Sequence, residues 1–158
     1  AFTRCVGQPP GRYARQQPPT PAGKTEAHLY SSDRPDAFFA VGYSDYPLAH
    51  VMGTPAEEIF AGVRDTWVKR LDGKLTLNSP TKLAGRYPGL EFAADGKVKG
   101  ADTFLQGRLY LVDQRLYQVI ALGRKGEISQ GVPNRYLASS RLIPGGDTGM
   151  IHLAPPVK

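Results

Sequence analysis

Two stretches of alternating side chains at residues 101–124 form the most apolar part of the chain. The apolar and aromatic residues that define them are Leu109, Tyr110, Leu111 and Val112 in the first stretch and Leu116, Tyr117, Val119 and Ile120 in the second. Because apolar groups fall on both faces of each stretch, the pattern predicts two central strands that are covered on both sides. Asp113 and Gln114 separate the stretches and predict a hairpin turn.

A second pattern, with apolar residues three and four positions apart, predicts one amphipathic helix after residue 54. Its apolar face consists of Phe60, Val63, Trp67 and Leu71. At the start of this helix, we expect Thr54 to cap the free amides, Pro55 to take the first helical position and Glu57 to complete a capping box. Gly73 is expected to end the helix.

Shorter alternating segments predict the other strands of an antiparallel sheet. We place them at 1–7, 26–32, 37–45, 73–78 and 83–94, the last one bent at 87–89. A charged turn is predicted at 95–100. A helical turn is predicted to open the segment 133–143, whose end docks on the sheet. The predicted fold class is therefore α+β, with an antiparallel sheet flanked by helices.

Proline and glycine mark the segments outside this predicted core. Residues 8–24 include five prolines, which exclude a helix or a central strand and predict a long surface excursion. Such an excursion serves either as a loop or as a Pro-rich ligand for a partner. Residues 144–158 have few apolar anchors and predict a flexible C-terminal tail. We assign residues 1–143 to a single domain that contains the excursion.

The composition fits one globular domain. A length of 158 residues with 41% hydrophobic and 22% charged residues is ordinary for that class. No apolar run approaches the ~20 residues that span a bilayer. Since the chain begins with Ala1, we expect that an upstream segment was removed; if it was a signal peptide, the protein is exported. The single cysteine, Cys5, forms neither an internal disulfide nor a zinc site.

The net charge of +6 is unevenly distributed along the chain. Residues 31–72 carry 4 basic and 7 acidic groups, a balance of −3, whereas residues 73–126 carry 9 basic and 4 acidic groups, a balance of +5. A basic sheet region suits an anionic partner, such as an acidic protein or lipid headgroups. No run of Lys and Arg exceeds two residues and no nucleic-acid motif is present, so a nucleic-acid partner is not expected.

Four segments carry a resemblance to known domains. They are VGYSDYP at 41–47, YPGLEF at 87–92, RLYLV at 108–112 running into LYQV at 116–119, and RYLASSRL at 135–142. Together they resemble a group of bacterial domains of unknown function with a PsbP-like fold, named after the extrinsic photosystem II protein. The resemblance implies an α/β/α sandwich around an antiparallel sheet. It also implies a role in binding another protein, as in photosystem accessory proteins and a Ran-binding nuclear import factor.

Residues that commonly carry catalysis do not form a recognisable constellation in this sequence. His28, His50 and His152 are far apart, and none has a second metal-type ligand at helical spacing. No G-x-S-x-G elbow is present, and Gly145 and Gly146 lie in the tail rather than between a strand and a helix. We therefore predict no catalytic residue, no cofactor and no metal, and a role other than catalysis.

Aromatic and charged side chains on the predicted strands are the candidates for a binding surface. The candidates are Tyr43, Asp45, Arg108 and Tyr110, with Tyr46, Tyr87 and Glu91 on the same sheet face or its edge. Such a mixture is typical of binding surfaces. The first hypothesis is that the sheet face or the Pro-rich excursion holds a protein partner. The alternative is a small molecule or ion bound in a pocket between helix and sheet; the sequence leaves the oligomeric state open.

Overall fold

The computed structural model of the protein describes residues 12–16, 19–20, 23–24, 27–33, 37–126, 140–143 and 150–153, with side chains at 27–31 and 37–126. Within these ranges the chain forms eleven β-strands and two α-helices. In chain order they are β1 (Arg12–Gln16), β2 (Pro19–Thr20), β3 (Gly23–Lys24), β4 (Ala27–Asp33), β5 (Ala37–Asp45), α1 (Leu48–Gly53), α2 (Ala56–Arg70), β6 (Lys74–Leu83), β7 (Tyr87–Val98), β8 (Ala101–Val112), β9 (Arg115–Arg124), β10 (Ser140–Ile143) and β11 (Met150–Leu153).

Seven of these strands form one antiparallel sheet in the order β1-β4-β5-β9-β8-β7-β6. The predicted central hairpin is confirmed, because β8 and β9 pair along their length and lie in the middle of the sheet. Asp113 and Gln114 form the loop, and Asp113 has a left-handed φ of 55° that a tight turn of this kind requires. The predicted α+β class is therefore confirmed.

The apolar face of α2 packs on the sheet over β7 and β8. The buried residues are Ile59, Phe60 and Trp67 of α2 and Leu71, which directly follows the helix. They pack against side chains that share one face of the sheet, among them Phe92, Leu105, Leu109, Leu116 and Ile120. The predicted helix face is confirmed, with Val63 at its border. Neither α1 nor α2 combines the length and apolarity needed to cross a bilayer, and the other described segments add no such helix.

The start of α2 differs from the predicted capping box. The helix begins at Ala56, its N-cap residue is Pro55, and no side-chain hydrogen bond caps it. Because Pro55 takes the cap position with an extended backbone, Thr54 lies one residue too early for its hydroxyl to serve the first turn. Glu57 and Glu58 instead bring negative charge to the first turn, where the helix dipole favours it.

Two further features beside α2 were not predicted. The short helix α1 connects β5 to α2. After α2, Asp72 rather than Gly73 adopts the left-handed conformation, with a φ of 46°. Gly73 is needed for a different reason, since a Cβ atom there would lie 2.9 Å from the carbonyl oxygen of Asp95 on β7.

The turn between β6 and β7 lies later than predicted, because β6 continues past residue 78 to Leu83. Residues 84–86 form it, with Ala84 and Gly85 at left-handed φ values of 53° and 66°. The predicted bend at 87–89 is wrong, because Pro88 and Gly89 belong to the first part of β7. Glycine is required at position 89 because the Tyr110 ring lies close to its backbone: a Cβ atom there would be 2.6 Å from that ring. The strand also continues through the predicted charged turn to Val98.

The terminal segments contain short strands. β1 lies inside the Pro-rich segment 8–24 and pairs with β4, while β2 and β3 form a small hairpin in the same segment. β11 lies inside the segment 144–158, which we predict to be a flexible tail, and pairs with β10. The strand predicted at 1–7 and the helical turn predicted to open 133–143 fall outside the described residues.

Candidate functional site

The four candidate residues come from two strands that are not adjacent in the sheet, β5 and β8, and β9 lies between them. Register pairs Tyr43 with Tyr117 and Tyr117 with Tyr110, so these three side chains share one face. Asp45 and Arg108 are each two residues from a member of this row and therefore lie on the same face. We call it the tyrosine face; it is the face opposite α2.

Aromatic rings run across four neighbouring strands in one row of the tyrosine face. The row consists, in register, of His28, Tyr43, Tyr117 and Tyr110. The His28 ring stacks on Tyr43 with centroids 4.7 Å apart and an interplanar angle of 15°. Stacked and paired rings of this kind stabilise a sheet and fix its register.

Arg115 joins one end of this row to a carboxylate. Its Nε and Nη2 donate to the two carboxylate oxygens of Asp45 at 2.7 and 2.9 Å. Its guanidinium also lies 4.3 Å from the ring centroid of Tyr43 and hydrogen-bonds to Tyr117. The hydrogen bonds with Asp45 raise the pKa of Arg115 above its ordinary value. The side chains of Arg115, Asp45, Tyr43 and Tyr117 therefore hold one another in a fixed geometry.

Arg108, on the neighbouring strand, forms a looser group of the same residue types. Its Nη2 lies 3.6 Å from Oε1 of Glu91, and its side chain hydrogen-bonds to Tyr110. Each arginine thus combines a carboxylate on one neighbour strand with a tyrosine hydroxyl two residues away on its own strand. The tyrosine face therefore carries two Arg–carboxylate–Tyr groups, one on each strand of the central hairpin.

Within each group the tyrosine is more deeply buried than the charged side chains. Tyr110 and Tyr117 are each only 3% exposed. The side chain of Arg115 is 23% exposed and that of Asp45 is 54% exposed. Tyr110 therefore supports Arg108 from below, while the charged ends and Tyr43 supply the accessible layer of the site.

Arg115, Tyr117 and His28 belong to this site but were not among the candidate residues. A signal for two of them is present in the sequence, because the tripeptide RLY occurs at 108–110 and again at 115–117. On a strand, the first and third residues of such a tripeptide share a face. An Arg and a Tyr in that spacing on both strands of a hairpin therefore indicate two equivalent pairs.

The other aromatic candidates lie apart from the tyrosine row. Tyr46 packs against the core under α2, and its ring stacks on His50 at 5.5 Å. Tyr87 does reach the tyrosine face, at the edge of its buried cluster. His152 has no described side chain. In the parts of the chain with described side chains, no group of three or more His, Cys, Asp or Glu residues is placed to hold a metal ion.

The tyrosines of the folded protein are expected to titrate in at least two groups. Burial raises the pKa of Tyr110 and Tyr117 above the ordinary value of about 10, although their arginines lower it in part. Above about pH 10 the folded chain therefore holds these protons more tightly than the unfolded chain. The resulting stabilisation is complete below that pH and is lost as the pH rises through the folded pKa values.

Ultraviolet absorbance of tyrosinate, followed as a function of pH, measures this difference. Replacing Tyr110 with phenylalanine should remove one proton from the late phase and leave the early phase unchanged. A single transition near pH 10 for all eight tyrosines of the folded chain would contradict the expectation.

Comparison with known proteins gives a fold-level result. No protein-family model matches the chain, and no curated protein matches it. Two chains of solved structures are similar to it. One is the crystal structure of a protein of unknown function from Pseudomonas aeruginosa, described as a candidate regulator. The TM-score is 0.55 and the identity 14%, over 86% of this chain and 99% of that one. The similarity supports a shared fold and assigns no function.

Proposed function

We propose that this protein is a non-enzymatic binding domain that holds a protein partner on its tyrosine face. The observation that carries the proposal is the pair of Arg–carboxylate–Tyr groups on the central hairpin. Arginine and tyrosine are enriched among the residues that dominate protein–protein affinity. Here two hydrogen bonds to Asp45 hold Arg115 in place before any partner arrives, which lowers the ordering cost of binding.

The composition of the accessible layer suits a protein surface better than a small anion. Asp45 pairs with Arg115, and Glu91 lies beside Arg108, so each positive charge already has a counterion. A simple anion would have to compete with these carboxylates. A polypeptide can instead contact the flat faces of Tyr43 and the guanidinium groups and accept their remaining hydrogen bonds.

Exposed apolar side chains lie on the short helix that follows β5. Leu48 and Met52 on α1 are 55% and 78% exposed and are four residues apart, so they lie on one side of the helix. The segment that leads into α1 is fixed beside the β8–β9 turn by a 2.9 Å hydrogen bond from the Tyr46 amide to the Gln114 carbonyl. Exposed apolar groups near the end of β5 suit a surface that a protein partner covers.

The alternative of a pocket between helix and sheet gains no support from the packing there. The layer under α2 is filled by large apolar side chains from both elements. The polar contact in it is the hydrogen bond from Trp67 Nε1 to Gln118 Oε1 at 2.9 Å. This contact satisfies the indole N–H of Trp67 and stabilises the packed layer.

We also propose that the domain has the PsbP-like architecture, in which helices flank an antiparallel sheet. Three of the four segments that resemble this group map to β5, β7 and the β8–β9 hairpin, the strands that build the centre of the sheet. The fourth, at 135–142, reaches β10. An experimental structure that describes residues 127–139 and the helical turn predicted there would test this assignment.

Affinity capture with the immobilised protein tests the partner proposal. We expect Arg115→Ala to reduce the recovery of partner proteins from an extract of the source cells. Truncating a dominant interface residue costs ~2 kcal/mol or more, which is about a 30-fold loss of affinity. The matched control is Arg64→Ala on α2, which also removes an arginine in an ion pair, with Asp65 at 2.9 Å.

Proteins retained by the wild type and by Arg64→Ala but lost with Arg115→Ala would support the tyrosine face as the interface. Equal recovery by all three forms would assign the binding to another surface. An extract from which the wild type recovers nothing above background would overturn the proposal of a protein partner.

A further inference from the structure

A concentration of positive charge lies at the end of the sheet where α2 ends. Four elements meet there and contribute seven basic residues: Lys69 and Arg70 from α2, Lys74 from β6, Lys97 and Lys99 from β7 and its following turn, and Arg124 and Lys125 from the end of β9 and the residue after it. Three acidic residues, Asp72, Asp95 and Asp102, lie among them. We call this region the basic end; its net charge is 7 − 3 = +4.

Backbone hydrogen bonds and strand pairing bring these elements together, with β6 paired to β7 where Lys74 lies opposite Asp95. The Lys97 amide donates to the Leu71 carbonyl at 2.9 Å, which joins the end of α2 to β7. The Lys125 amide donates to the Asp102 carbonyl at 3.0 Å, which joins the end of β9 to the start of β8. The charges at the basic end are therefore brought together by the fold, since they come from four separate parts of the sequence.

The rest of the described side chains do not share this excess. Outside the basic end they comprise five basic and six acidic groups, a balance of −1. Two of the acidic groups within the basic end are already paired, Asp102 with Lys97 at 3.9 Å and Asp95 with Lys125 at 3.2 Å. The positive potential of the described region is therefore confined to one end of the molecule.

The tip of the β7–β8 hairpin adds apolar groups to this end. Lys99 and Gly100 form a two-residue turn with left-handed φ values of 50° and 79°, which is the geometry of a tight hairpin turn. Val98 lies directly before the turn, between two lysines, and is 38% exposed. Leu75, on the same sheet face of the adjacent edge strand β6, is 37% exposed.

We propose that the basic end docks on an anionic lipid bilayer, with the tip of the β7–β8 hairpin entering the headgroup region. Lysine and arginine supply the attraction to anionic headgroups, and each contributes roughly a fivefold increase in binding. A protruding valine between lysines matches the boundary between headgroups and acyl chains. A soluble polyanion would give the exposed Val98 and Leu75 no apolar environment, so a lipid surface is favoured. This surface is distinct from the tyrosine face.

Co-sedimentation of the full chain with vesicles tests the proposal. The probes are vesicles of phosphatidylcholine alone and vesicles that also contain phosphatidylglycerol. We expect binding to the second kind only, and weaker binding as the salt concentration rises, because salt screens exposed charges. Lys74→Glu with Lys99→Glu should lower the apparent affinity by at least about tenfold, since each lost lysine contributes roughly fivefold.

The matched control is Lys82→Glu with Arg86→Glu, at the turn between β6 and β7. It changes the net charge by the same amount but lies at the opposite end of these strands. We expect a much smaller loss of affinity from this control. Equal losses in the two double variants would show that net charge alone drives binding and would overturn the proposal, as would an absence of binding to the phosphatidylglycerol vesicles.

Val98→Ser is a third variant that leaves the charge unchanged and affects an exposed position. It should weaken binding to vesicles without changing binding to heparin. If Val98→Ser leaves vesicle binding unchanged and heparin binds as well as vesicles do, the basic end recognises polyanions in general and the bilayer proposal fails. Circular dichroism of each variant confirms that the fold is retained before binding is compared.

Discussion

Replacing Trp67 with alanine should lower the free energy of unfolding by about 3–5 kcal/mol. Trp67 is the largest buried side chain of α2, and its ring packs near Phe38 at a centroid distance of 6.5 Å. The replacement would leave a cavity between helix and sheet. It would also leave Gln118 without its partner, because Trp67 Nε1 donates to Gln118 Oε1 at 2.9 Å.

Urea unfolding followed by circular dichroism measures this loss. Tryptophan fluorescence is unsuitable because Trp67 is the sole tryptophan of the chain. The control is Thr66→Ala on the exposed side of the same helical turn, which should change the stability by less than about 0.5 kcal/mol. If both variants unfold at the wild-type urea concentration, α2 does not anchor the core as described.

Replacing Gly107 with alanine should destabilise the protein by about 1–3 kcal/mol. The same replacement is usually stabilising in a strand or helix, because alanine loses less backbone entropy on folding than glycine. Gly107 lies on β8 directly beneath the Phe92 ring. A Cβ atom there would lie 2.5 Å from Phe92 Cζ and 2.9 Å from Ile120 Cδ1. Phe92 and Ile120 are both completely buried, so neither ring nor methyl group has space to move aside.

Gly62→Ala provides a matched control with the opposite sign. Gly62 is exposed within α2, and a Cβ atom there would meet nothing within 4 Å. Alanine should therefore stabilise the protein by about 0.5–1 kcal/mol through helix propensity. Two glycine-to-alanine changes in one chain thus separate the effect of packing from that of backbone freedom.

A double variant identifies the cause of the Gly107 effect. Phe92→Leu alone should be destabilising, but in its presence Gly107→Ala should cost less than it does in the wild type. The coupling between two residues in contact is commonly about 0.5–3 kcal/mol. Strictly additive effects of the two changes would show that the space beneath the Phe92 ring is not the reason for the glycine.

Local patterns in the sequence predict the elements with the strongest periodicity. Apolar residues at spacings of three and four predict α2, and alternating residues predict the central hairpin with its turn at Asp113 and Gln114. The boundaries that were wrong are those where local signals conflict. Tyr87, Pro88 and Gly89 resemble a turn, but they lie in a strand because they pair with residues 81–83 of β6 and because Gly89 also pairs with Tyr110 of β8.

The candidate site, like the fold, was predictable only in part from the sequence. The sequence indicates that Tyr43, Asp45, Arg108 and Tyr110 belong on strands, and the alternation of strand residues assigns each a side of its strand. It does not indicate that β9 lies between β5 and β8, so Arg115 was not expected to join Asp45 and Tyr43. Strand order depends on which partners bury the most apolar surface together, and this information is distributed over the whole chain.

The sequence by itself thus determined the α+β class, the main helix and the central hairpin, because each depends on contacts between residues close along the chain. Only the tertiary structure decided that two RLY tripeptides form equivalent groups on one face. It also decided that seven basic residues from four elements meet at one end of the sheet. Both arrangements depend on strand register and sheet order, which couple residues as far apart as Asp45 and Arg115.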